Sequence, residues 1–398
     1  MQPQMSRTLL RIIRLVLIIA GVAIVLWAIN WQDAVRIPIG EPGPAGGASE
    51  SVRFIHIEDV QPVGSVLMSG TVAPTDGSSS TSQTFQFPNE WYRPGILTTF
   101  SKASPLLLFM GLLFLIGVYP LQATRWWLLM RCRGLQVGWF RTLRLVFIGA
   151  FFNFCLPGTE GGDIVKAWYV SRKSEDRVTA IMSVVFDRLT GLLGLLILTA
   201  LAGVLVATTD SIAFKIGLWA CLAIVLIGLL SGLYFLGGLR SWLKMDRLQS
   251  MIGGGMLSRI ENAVHAYGSH RTSVATATAV SVVVQILLAM AATMAGLSLG
   301  MDHDLGVILA IMPVLFLAAA VPMTWQGVGV MEGLGIVLLA TPDLATPNQV
   351  IGMLLIYRGY ELVWSLIGAA LLLKGDVHLH PERDNVPVMA GNSIETPE

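Results

Sequence analysis

Residues 153–163 read Asn-Phe-Cys-Leu-Pro-Gly-Thr-Glu-Gly-Gly-Asp and interrupt apolar chain on both sides. Pro157 removes a backbone donor, and Gly158, Gly161 and Gly162 permit conformations that other residues resist, so a helix entering through residues 145–152 unwinds here. The apolar run before the break is too short to cross a bilayer. In lipid, unwound backbone survives only where protein or a water-filled cavity satisfies its polar groups. The break therefore predicts a polar site at membrane depth, with the carboxylates of Glu160 and Asp163 beside it.

A bilayer is the right solvent to assume because 54% of the 398 residues are hydrophobic and only 13% are charged. Soluble chains carry about a quarter charged residues. The net charge of +1 says nothing about partners; the sequence does not resemble a nucleic-acid binder, and no nucleic-acid partner is expected. Cys132, Cys155 and Cys221 lack metal-ligand spacing and are expected to be free thiols; no metal or cofactor is expected.

The placement of charge gives the topology. Arg7, Arg11 and Arg14 precede an apolar run ending near Ile29, whose length and whose Trp27, Asn30 and Trp31 anchors favour an uncleaved first span over a signal peptide. Residues 31–104 are rich in Gly, Pro, Ser and Thr, with strand-like patches at 51–57 and 65–72 and more acidic than basic residues. They predict a small extracytoplasmic insert, a loop or a docking module for an extracytoplasmic protein partner. Residues 105–121 form the second span, and Arg125, Arg131, Arg133, Arg141 and Arg144 after it mark the cytosolic side. Arg172, Lys173 and Arg177 follow the broken stretch, so residues 145–170 are predicted to enter and leave from the cytosol as a re-entrant hairpin. Its second half-helix, beginning near Gly161, turns unsatisfied N–H groups and a partial positive charge into the membrane, where an anionic group can rest.

The next span, 178–208, carries Asp187 and Arg188. Neighbours in sequence do not face each other on a helix, so each needs its own partner. An unpaired charge at the bilayer centre costs about 2.5–3.5 kcal/mol. An interhelical salt bridge and a substrate contact both fit. Residues 212–239 return to the cytosol, and 240–271 form a basic connection in which His265 and His270 are solvated. Residues 272–299 lead out to Asp302, His303 and Asp304, an acidic outer loop rather than a metal site. The architecture then repeats. Residues 321–332 read Val-Pro-Met-Thr-Trp-Gln-Gly-Val-Gly-Val-Met-Glu, placing Pro322, Gln326, Gly327, Gly329 and Glu332 inside another apolar run. Its flanks are acidic, so this hairpin enters from outside. Residues 349–373 are the last span, with Arg358 and Glu361 spaced for a local ion pair, and a polar tail begins at Lys374.

The expected fold is an all-α polytopic membrane protein. It has about six full spans and two re-entrant broken-helix hairpins in an inverted-repeat arrangement, plus the small, partly β extracytoplasmic insert. The divisions are an N-terminal transmembrane helix (1–30), the insert (31–104), a transmembrane domain (105–373) and a disordered cytosolic tail (374–398). A binding site is expected where the hairpin tips meet.

Asn153, Pro157, Gly161, Gly162 and Asp163, then Asp187 and Arg188, then Pro322 with Gly327 to Glu332, then Tyr357 and Arg358, occur together in this order. Over about residues 106–373 this pattern resembles the lysylphosphatidylglycerol synthase transmembrane-region family, flippase-like integral membrane proteins. The resemblance implies movement of a phospholipid or lipid-linked headgroup across a bacterial-type cytoplasmic membrane; the flanking charges and about six full spans put both termini in the cytosol. Candidate substrate-binding residues are Asn153, Gly161, Gly162, Asp163, Lys166, Asp187, Arg188, Gln326, Gly327, Glu332, Arg358 and Glu361. Lys166, Arg188 and Arg358 would attract the phosphate, while Asp163, Asp187, Glu332 and Glu361 would hold those cations or bind an amine. The chain ends soon after its last span, without the cytosolic aminoacyl-transferase domain of the full synthases, so transport is expected rather than lipid lysylation. No Gly-x-x-x-x-Gly-Lys-Ser/Thr loop occurs, which leaves scrambling or coupling to an ion gradient, with Asp163 or Glu332 as a proton carrier. Two competing readings are an enzyme of lipid-linked sugar or phospholipid metabolism, with Glu160 and Asp163 on a metal, and a structural partner that recruits proteins through residues 31–104.

Overall fold

The computed structural model describes residues 28–37, 53–63, 67–72, 83–88, 91–155, 161–173, 176–206, 270–301, 305–320, 325–341 and 344–374, with isolated positions in 16–26 and 219–267. Most of the first span, the 212–239 span, Pro157, Glu160, His265, the 302–304 loop, Pro322 and the tail after Lys374 lie outside the described residues.

Four helices are long and apolar enough to cross a membrane: α2 (Pro105–Arg131), α5 (Arg177–Val206), α6 (Arg271–Ser298) and α9 (Pro347–Leu373). At ~1.5 Å per residue, the 27 residues of α2 reach about 40 Å, past the end expected at residue 121. The helix continues because Gln122 to Trp127 satisfy its backbone as well as apolar residues would, and they bury Trp126 and Arg125 against neighbouring helices. Arg125 is therefore not part of the flanking arginine cluster. It is only 8% exposed, inside the bundle.

Both apolar interruptions break their helices. The first lies between α3 (Trp139–Cys155) and α4 (Gly161–Lys173). The second lies between α7 (Leu305–Ala319) and α8 (Val330–Leu339), with a 3-10 turn at Trp325–Gly327. The packing is reciprocal between the two halves. α2 and α6 run along each other, α3 packs on α9 while α7 packs on α5, and the second member of each broken pair, α4 or α8, packs on the long helix that follows it. Small side chains let these helices approach, as where Gly194 of α5 lies against the backbone of α6 at Ser281. The largest core gathers Leu115, Val284, Met312, Leu315, Met353 and Leu354 between α2, α6, α7 and α9.

Before α2 the chain forms a five-stranded antiparallel sheet in the order β4-β3-β2-β1-β5. Its strands are β1 (Ala34–Ile37), β2 (Arg53–Val63), β3 (Leu67–Val72), β4 (Gln83–Pro88) and β5 (Tyr92–Arg93). Alternation in β1 turns Val35 and Ile37 toward Ile57, Phe87 and Tyr92 in a small core of its own. The patches expected at 51–57 and 65–72 correspond to β2 and β3, and β2 runs on to Val63 through an irregularity between Glu58 and Gln61. A short helix, α1 (Ile96–Ser101), joins the sheet to α2.

Polar contacts tie this unit to the membrane helices. Asn348, in the first turn of α9, accepts the Asn30 N–H at 3.0 Å and donates to the carbonyls of Asn30 and Pro94, each at 2.8 Å. Asp33 accepts the Gly95 N–H at 2.7 Å and the Tyr92 hydroxyl at 2.8 Å. Burial, reinforced by that carboxylate, pushes the Tyr92 phenol well above its ordinary value.

Candidate functional site

The first break is closed by a short-range clamp. The Asn153 side chain, near the end of α3, accepts the N–H of Gly162 at 2.8 Å and so caps one of the orphan donors of α4. Gly162 lies so close to α3 that a Cβ there would come within 1.9 Å of the Gly149 carbonyl oxygen. Only glycine fits. The crossing sets the buried Gly161 and the first turn of α4, with Asp163 and Lys166, against α3.

The second break uses left-handed backbone. Gln326 has φ 50, Gly327 φ 71 and Gly329 φ 85, conformations that cost glycine little and a side-chain-bearing residue more. Glu332 then caps α8 by accepting the Gly329 N–H at 2.7 Å. The two breaks touch: the Gln326 amide donates to the Asn153 carbonyl at 3.4 Å, and Arg358 of α9 donates to the Gln326 carbonyl at 3.4 Å.

Around this contact the charges are paired across helices. Lys166 lies 2.7 Å from Asp163 and 3.8 Å from Asp187, and Arg188 also pairs with Asp163. Asp187 receives Arg125 Nε at 2.7 Å, while Arg125 Nη1 donates to Ser281 of α6 at 3.2 Å. Lys166 further stands 5.3 Å from the centre of the Trp126 ring. Glu332, with its side chain only 1% exposed, sits 2.8 Å from Arg358 Nη1. That oxygen has no aligned hydrogen bond, so its attraction to Arg358 is one of charge. Arg358 thus turns to Glu332 on α8 rather than to Glu361 on its own helix, and Glu361 accepts the Tyr357 hydroxyl at 3.0 Å. The local pair expected from spacing gives way because a long guanidinium reaches the next helix and neutralises a carboxylate that would be costly to bury alone.

The two ion pairs occupy matching places. Asp163 and Glu332 are each the third residue of a helix that follows a break, and Arg188 and Arg358 are each the twelfth residue of the next long helix. A cavity of about 350 Å³ opens between the halves. Asn153, Asp163, Lys166, Asp187 and Arg188 line it from the first half, and Gln326, Arg358 and Glu361 from the second. Gly161, Gly162 and Gly327 shape the adjoining backbone, and Glu332 stands behind Arg358 rather than in the wall. Arg188, whose side chain is 43% exposed, is the most open of these ionic groups.

Among the polar lining residues, Arg125, Tyr119, Gln122 and Gln285 were not singled out from the sequence as site residues, and Tyr357 entered only through the family pattern. The available signal for Arg125 was its setting, an apolar and aromatic stretch running on to Met130. Tyr119 and the two glutamines carry no signal distinct from ordinary helix residues. Lys166 and Arg188 hold the Asp163 carboxylate, and the other carboxylate of the metal reading, Glu160, lies outside the described residues.

The family model for the lysylphosphatidylglycerol synthase TM region matches residues 95–368. No curated protein matches the chain.

Proposed function

The chain belongs to the lysylphosphatidylglycerol synthase TM-region family and is a multi-pass membrane protein, and from that premise we propose that it moves a phospholipid or lipid-linked headgroup across the bilayer. The observation that carries this reading is the cavity shared by the two helix breaks, with Asn153 and Gln326 in contact at its wall. The reciprocal packing and the matched pairs Asp163–Arg188 and Glu332–Arg358 support two re-entrant elements of an inverted repeat. Such elements alternate access by moving against one another around a fixed site. Parting of the Asn153–Gln326 contact would admit the headgroup while the acyl chains stay in lipid.

The charge distribution supports a dipolar headgroup. The first half supplies Arg125, Lys166 and Arg188 against Asp163 and Asp187, and the second supplies Arg358 against Glu332 and Glu361. The formal excess is one positive charge on one side and one negative charge on the other. A phosphate would settle near Lys166 and Arg188, and an amine near Glu361. Every cation needs a carboxylate while the cavity is empty, since isolated charge at this depth costs about 2.5–3.5 kcal/mol. An entering phosphate can replace Asp163 on Arg188 without leaving that cation unpaired.

In this reading the arginine-rich end, with Arg131, Arg141 and Arg144, faces the cytosol of a bacterial-type inner membrane, and the sheet of residues 34–93 stands on the opposite side, open to an extracytoplasmic protein partner. The test is reconstitution into liposomes with a fluorescent phospholipid and an impermeant quencher. Translocation by the parent, lost in Asp163→Asn and Arg358→Ala, is expected. Undiminished translocation in both variants would overturn the proposal, and a chemically altered lipid would assign an enzyme instead.

A further inference from the structure

A second hollow lies at the arginine-rich end, between the turn that joins α2 to α3, the end of α4 and the start of α5. Its volume is about 610 Å³, within the range of small-molecule sites, and its wall includes Arg133, Arg141, Tyr169, Asp176 and Thr179. None of these residues lines the central cavity.

Tyr169 is the informative member. It is only 9% exposed, and its hydroxyl, shielded from solvent, has no hydrogen-bond partner among the described residues. Folded proteins rarely leave a buried hydroxyl unsatisfied, so the group is left for something that enters the hollow. The surrounding charge indicates its sign. Two guanidiniums stand in the wall, and Arg side chains match phosphate oxygens with paired N–H donors. Among the described wall residues the carboxylate is Asp176, and it is already engaged as the cap of α5. It accepts the N–H groups of Val178 at 3.1 Å and Thr179 at 3.0 Å, as well as the Thr179 hydroxyl.

We infer that this hollow binds a phosphate ester, with Arg133 and Arg141 holding the phosphate oxygens and the Tyr169 hydroxyl donating to one of them. The ester can be the headgroup of an anionic lipid in the adjoining leaflet or a free phosphate ester from solution. Occupancy would tie the α2–α3 turn to α4 and α5, the helices that carry Lys166 and Arg188 into the central cavity.

The test is calorimetric titration of the detergent-solubilised full chain with glycerol 3-phosphate and, separately, with a short-chain phosphatidylglycerol. Saturable binding of either probe is expected, weakened about tenfold (about 1.4 kcal/mol) in Tyr169→Phe and in Arg141→Gln and unchanged in Gly333→Ala, which lines neither hollow. Tyr169→Phe keeps the ring and its packing, and an unchanged circular dichroism spectrum and thermal midpoint identify folded variants. Binding of glycerol 3-phosphate assigns a free ester, and binding of the lipid alone assigns a headgroup. Failure of both probes to bind, affinity indifferent to both substitutions, or affinity weakened equally in Gly333→Ala would overturn the inference.

Discussion

Replacing Glu332 by Gln removes one charge and almost no volume from the most enclosed ionic contact of the second half. At 2.8 Å and an effective dielectric near 20, the attraction between Glu332 and Arg358 is about 6 kcal/mol, from which the desolvation of both groups subtracts. Removing one member of such a buried pair costs about 3–5 kcal/mol, because the survivor stays buried without its counter-charge. Arg358 would keep the Gln326 carbonyl at 3.4 Å, the Met331 sulfur at 3.5 Å and the more distant charge of Glu361. The glutamine carbonyl can still accept the Gly329 N–H, so the cap of α8 persists and the loss reports charge. Unfolding in mixed micelles by titration with sodium dodecyl sulfate should show Glu332→Gln less stable by about 3–5 kcal/mol. Arg358→Met alone should also destabilise, and the double variant should recover at least about 1 kcal/mol relative to the sum of the singles. The double variant should nonetheless fail to translocate lipid, which separates packing from function. A Glu332→Gln effect within about 0.5 kcal/mol of zero, or strict additivity in the double variant, would refute the reasoning.

Gly162→Ala places a Cβ against the Gly149 carbonyl and should cost about 3 kcal/mol or more in the same unfolding assay, at the upper end of overpacking effects; Gly333→Ala, which meets nothing within 4 Å, is the control. Asn348→Leu removes three hydrogen bonds, each worth about 0.5–1.5 kcal/mol, and should raise amide exchange in residues 34–37 while sparing α6. Hydrogen bonds from Thr179 hold the Asp176 carboxyl below its ordinary value of 3.8, so its stabilisation is present above 3.8 and lost as pH falls from there through the lowered value of the folded state. The thermal midpoint should therefore drop between about pH 5 and about pH 2, and Asp176→Asn should flatten part of that limb.

Both interruptions were legible because proline and clustered glycine act locally and lipid leaves unwound backbone few places to go. The demand that Asp187 and Arg188 find separate partners also followed from helix geometry alone, and they do: Arg125 and Lys166 for one, Asp163 for the other. The identity of Arg125 as a partner was hidden, since an arginine six residues from a helix end has the same hydropathy whether it flanks a membrane or enters a bundle. Glu332 was legible as one of the carboxylates that hold the cations, but which of them Arg358 takes was not, for a related reason. The spacing of Arg358 to Glu361 is a local fact, while its contact with Glu332 depends on how α8 packs on α9. In the sheet, β2 and β3 carry their own β-branched patterns, but β1 has four residues and β5 two, and these are strands only through their neighbours.

The contact between the two breaks offers the most direct measurement. In a background without Cys132, Cys155 and Cys221, Asn153→Cys and Gln326→Cys can be joined by a short, reducible thiol cross-linker and the protein assayed in liposomes. If the headgroup passes where these elements meet, linkage should stop translocation and reduction should restore it. Translocation at the unlinked rate while the two cysteines remain joined would contradict the account.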